Sequence, residues 1–91
     1  MKKEKTSKVL SFTFPPDLIL KLEAVNKIGH YDSVSEFIRD SIRSFLHSRK
    51  DLRISIAHQL FKENKIPFSK AVEIIGTTPE EVKLLFEKHD L

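Results

Sequence analysis

Five residues in strict alternation, Leu10-Ser11-Phe12-Thr13-Phe14, stand ahead of Pro15-Pro16 in a chain whose other apolar residues recur at helical spacing. β-branched and aromatic residues in period two read as a half-buried strand. Leu10, Phe12 and Phe14 fall on one face, and Val9, Ser11 and Thr13 on the other. A solitary strand leaves a row of N–H and C=O groups that need a partner. No second strand pattern follows, so the sequence predicts pairing with the same segment of a second copy. The expected fold class is mainly α: one N-terminal strand pairing in an intertwined homodimer, two helices, then about three short C-terminal helices.

Size and composition point the same way. A chain of 91 residues holds one small core at most, and with no cysteine it has no disulfide to brace it. Zero cysteine also excludes thiol nucleophiles and Cys-type zinc sites, and fits a reducing, cytoplasmic location. Apolar runs are too short to span a membrane, and Pro15-Pro16-Asp17 interrupts any secretory reading of Met1-Lys2-Lys3. Charge is uneven along the chain: residues 1–14 carry a net +3, residues 15–50 a net +1 and residues 51–91 a net −1. The excess at the N-terminal end is where a polyanion would be met.

The helices are marked by their ends. Pro15-Pro16-Asp17 opens a first helix carrying Leu18, Leu22, Val25 and Ile28, and Gly29 closes it. Ser33-Val34-Ser35-Glu36 fits a capping box for a second helix with Ile38, Ile42, Phe45 and Leu46 inward. Four polar residues at 48–51 predict a break, although one continuous helix also fits. A third helix bears Leu52, Ile56, Leu60 and Phe61, a fourth runs over 69–75 to Gly76, and Thr78-Pro79-Glu80 starts a fifth. The expected division is a flexible basic arm at 1–7, a DNA-binding and dimerisation domain at 8–49, and a C-terminal helical segment at 50–91.

Two paired strands fit the major groove of B-DNA. Val9, Ser11 and Thr13 would then read bases. Lys3, Lys5 and Lys8, with the second helix's N-terminus at Ser33, Val34 and Ser35, would hold phosphates of double-stranded DNA. Leu10, Phe12, Phe14, Leu22, Ile38 and Ile42 would form the dimer core. The run Ser11-Phe12-Thr13-Phe14-Pro15, then Gly29, Tyr31 and Ser35-Glu36-Phe37-Ile38-Arg39, resembles the ribbon-helix-helix transcription regulators over residues 8–47. That resemblance implies an intertwined dimer, probing the groove with outward strand residues, that acts as a transcriptional repressor. Val9 and Val34 depart from it, standing where family members often carry a cation.

The tail offers a second reading. Residues 57–66 followed by 70–76 resemble the C-terminal segment of small archaeal-type antitoxin-like proteins. This implies an antitoxin that binds a toxin protein through residues 51–91 and autoregulates its operon. Leu60, Phe61, Phe68, Leu84 and Phe86 are the candidate partner-binding residues. Helices four and five have helix-turn-helix spacing, but Glu80 and Glu81 at the start of the fifth would repel phosphate. His30, His47, His58 and His89 lack metal-ligand spacing and are expected in solvent. No nucleophile–base pattern or phosphate-cradling loop is present, so neither an enzyme nor a cofactor is expected.

Overall fold

The structure, a computed structural model, describes residues 8–89. Five helices follow one another: α1 (Pro16–Lys27), α2 (Val34–Ser48), α3 (Lys50–Lys62), α4 (Phe68–Ile75) and α5 (Pro79–His89). No strand occurs among the described residues, and 8–15 carry no secondary structure. The expected fold class, a ribbon-helix-helix with an N-terminal strand, is therefore overturned: all the regular secondary structure among the described residues is helical. Alternation only sorts side chains onto two faces; a strand also needs a ladder partner, and the described residues supply none.

The helix ends follow the local chemistry read from the sequence. At α1 the Pro15 carbonyl accepts from the N–H groups of Leu18 and Ile19, at 3.0 and 3.1 Å. Proline at the first position removes a donor that would have no intrahelical acceptor. Gly29, at φ +83°, takes the left-handed conformation after the helix. At α2 the Ser33 Oγ accepts the Glu36 N–H at 3.0 Å, while the Glu36 carboxylate accepts the Asp32 N–H at 3.2 Å. Arg49, at φ −121° and ψ 86°, breaks the path between α2 and α3.

The chain divides into two compact units, one reaching Phe37 and one beginning at Ile38. In the second, α3, α4 and α5 enclose a core of Ala57, Ala71, Ile75, Val82 and Phe86. Ile54, Ile66, Phe68, Val72 and Ile74 pack around it. Alanines at two of these positions let the helices approach closely. Arg53 braces the same unit. Its Nη1 donates to the carbonyl oxygens of Leu46 (2.9 Å) and His47, while Nη2 and Nε donate to that of Ile75 at 3.2 and 3.4 Å. One guanidinium thus donates to carbonyls at the ends of both α2 and α4, sharing that of Leu46 with the Arg49 N–H.

Neither α1 nor α2 contains a buried residue. Leu20, Ile42 and Phe45 are exposed large apolar side chains on these helices, and Ile28, just after α1, is exposed too. Among the described residues, no helix is long and apolar enough to cross a membrane.

Candidate partner-binding surface

The C-terminal unit carries an open aromatic trough. Phe61 near the end of α3, Phe68 at the start of α4 and Phe86 on α5 meet with ring centroids 5.6 to 6.2 Å apart. Edge-to-face and tilted geometries of this kind suit the ring quadrupole. With Pro79, Glu80 and Lys83 they bound a space of about 500 Å³. Phe86 is buried, Phe68 half-buried and Phe61 exposed, so the apolar wall grades from core to solvent.

This shape follows from local sequence. Asn64 at φ +58° ends α3, and the Lys65 N–H donates back to the Leu60 carbonyl at 2.9 Å. That left-handed closure and Pro67 turn the chain so that Phe68 comes back against Phe61. Gly76, at φ +82°, then closes α4 with its N–H on the Val72 carbonyl at 2.8 Å. Thr78 caps α5 through its Oγ1, which accepts the Glu81 N–H at 3.2 Å. The caps set the angle at which α5 brings Phe86 against the other two rings.

Of the five residues expected to bind a partner, the structure gathers Phe61, Phe68 and Phe86 into this trough. Leu60 is half-buried on α3 outside it. Leu84 is 63% exposed and lines a second hollow of about 650 Å³ with Thr78, Glu81, Leu85 and Lys88. Glu80 and Glu87 form the wall shared by the two hollows. Pro79 and Lys83, which the sequence did not single out, complete the trough because a helix face three and four residues apart turns them toward Phe86.

His58 also departs from expectation. Instead of standing in solvent it is buried, edge-on to Phe86 at 4.9 Å and 5.2 Å from the His89 ring. It lies on the inner face of α3 next to Ala57, where the sequence pattern reads as polar but the packing is apolar.

The residues assigned to DNA fare differently. Val9, Ser11 and Thr13 are exposed on a segment without secondary structure, so no ribbon frames them for base reading. Lys3 and Lys5 lie outside the described residues, and Lys8 is exposed. At the start of α2 the Ser33 hydroxyl accepts the Glu36 N–H, and the Glu36 carboxylate accepts the Asp32 N–H. Val34 and Ser35 follow directly in the first turn. Of the expected dimer core, Leu10, Phe12 and Ile42 are exposed, whereas Phe14, Leu22 and Ile38 are half-buried.

Fold and surface together define, among the described residues, a small helical protein with a core confined to α3, α4 and α5 and uncovered apolar side chains elsewhere. A UPF0175 protein from Halobacterium salinarum is 29% identical over 66 residues, a stretch covering 72% of this chain and 67% of the relative. No family model matches the chain, and no solved structure matches it.

Proposed function

We propose that this chain is an antitoxin-like protein that grips a protein partner with its C-terminal three-helix unit. The observation that carries this reading is the solvent-open trough of Phe61, Phe68 and Phe86 on a unit whose own core is already closed. Aromatic side chains in a partly closed hollow are the residues that dominate protein interfaces, because they bury large area at little conformational cost. The likeness of residues 57–66 and 70–76 to antitoxin-like tails supports the same assignment. The uncovered faces of α1 and α2 are assigned to a second copy, so that the working species is a homodimer presenting two troughs.

The test is co-expression with the product of the reading frame beside its own gene. That product alone should arrest growth, and the wild-type chain should relieve the arrest. A Phe61→Ser, Phe68→Ser chain, confirmed folded by circular dichroism, should not. A harmless neighbour, or full relief by the double variant, contradicts the proposal.

A further inference from the structure

The second hollow, beside Leu84 and Leu85, has a different character from the aromatic trough. Three carboxylates (Glu80, Glu81 and Glu87) line it against the single ammonium of Lys88. Glu81 is already engaged by the Thr77 hydroxyl at 3.0 Å and by Lys50 at 4.0 Å. Glu80 and Glu87 lie two helical turns apart, about 10 Å along the axis, with Leu84 between them. The hollow is thus an apolar floor between negative rims.

The chain also carries a segment of opposite character. Residues 1–14 hold Lys2, Lys3, Lys5 and Lys8 against Glu4 alone. Directly after Lys8 come Val9, 92% exposed, Leu10, and Phe12, 69% exposed, in a stretch with no secondary structure. Apolar side chains this exposed beside a run of cations match a leucine-floored, carboxylate-rimmed hollow in both hydrophobicity and charge.

We propose that the N-terminal segment of a second copy docks in the Leu84–Leu85 hollow, with Leu10 and Phe12 on the leucines and the lysines against Glu80 and Glu87. This contact is separate from the aromatic trough and does not depend on the partner assigned to it. Each copy offers one arm and one hollow, so two copies can exchange arms about a two-fold axis. Its ionic part weakens as salt shortens the Debye length from about 30 Å at 0.01 M to about 8 Å at 0.15 M.

The chain lacks cysteine, so Ser11→Cys places a spin label at one known position. The experiment mixes spin-labelled Ser11→Cys chain at natural isotopic abundance with full-length wild-type chain carrying ¹⁵N, at low salt. The amides of Leu84 and Leu85 in the ¹⁵N chain should broaden. Broadening should fade with added salt and vanish when the ¹⁵N chain carries Glu80→Lys and Glu87→Lys. It should return when the labelled chain carries Lys3→Glu, Lys5→Glu and Lys8→Glu. Circular dichroism confirms that the variants stay helical. Undisturbed Leu84 and Leu85 amides overturn the proposal, as does broadening insensitive to both charge reversals. Broadening confined to samples with ¹⁵N and label on one molecule places the arm on its own chain, which also overturns it.

Discussion

Arg53 is the side chain on which the second unit is most exposed to a single change. Its guanidinium reaches carbonyls in the last turn of α2 and at the end of α4 from within α3, using the planar fork of its donors. Arg53→Ala leaves those carbonyls without their charged donor and should cost about 2–3 kcal/mol, read as a lower urea midpoint. Arg53→Lys should recover only part of this, since an ammonium is a point charge without the fork. An unchanged midpoint in Arg53→Ala contradicts the bracing role. Asp51 makes a smaller, pH-dependent contribution. The hydrogen bond from Arg49, 2.8 to 3.0 Å to its two oxygens, holds the Asp51 carboxyl at about 2, below its ordinary 3.8. A carboxyl depressed in the folded chain adds stability that is present above its unfolded value and lost as pH falls through its folded value. The effect is therefore lost between about pH 4 and pH 2, and it is small because both groups are exposed. In Arg49→Ala the Asp51 titration midpoint, followed by carbon-detected NMR, should rise toward 3.8; a midpoint still near 2 contradicts the cause.

At the scale of elements, the turns do as much as the core. Gly76 takes a left-handed backbone that L side chains avoid, and a Cβ there meets nothing within 4 Å. Gly76→Ala should therefore cost about 1–2 kcal/mol through the backbone alone, without disturbing the packing of Ile75 or Val82. A thermal midpoint equal to wild type would show that the α4–α5 turn is not held by that conformation. The elements most legible in the sequence are those with chemical signals at their ends: Pro16 for α1, Ser33 with Glu36 for α2, Gly76 for α4, and Thr78 with Pro79 for α5. The break at Arg49 was legible as a gap in the apolar stripe. The strand was misread because alternation at 10–14 is a statement about side chains, whereas a strand is defined by backbone pairing that one sequence cannot display. Arg53 and the buried His58 were not legible. Their roles depend on where the end of α4 and the face of α5 arrive in space, many residues away in the chain. The aromatic trough was half legible: Phe61, Phe68 and Phe86 stood out as surplus apolar residues, but Leu60 and Leu84, chosen on the same grounds, face elsewhere.

For the whole molecule, the contrast lies between a unit that closes its own core and helices that bury nothing. Ala57, Ala71, Ile75, Val82 and Phe86 account for all the buried apolar residues among those described, and every one belongs to α3, α4 or α5. A core this small is marginal, and the uncovered leucines, isoleucines and phenylalanines of α1 and α2 are available to bury against another chain. Stability of that part of the molecule should then depend on concentration, as it does for any species whose folded form is favoured by association. Residue-resolved amide hydrogen exchange over a dilution series tests this directly. Amides of α3, α4 and α5 should exchange slowly at a rate that dilution leaves unchanged, while those of α1 and α2 should lose protection as the chain is diluted. Uniform protection of all five helices at the lowest concentration would contradict the account.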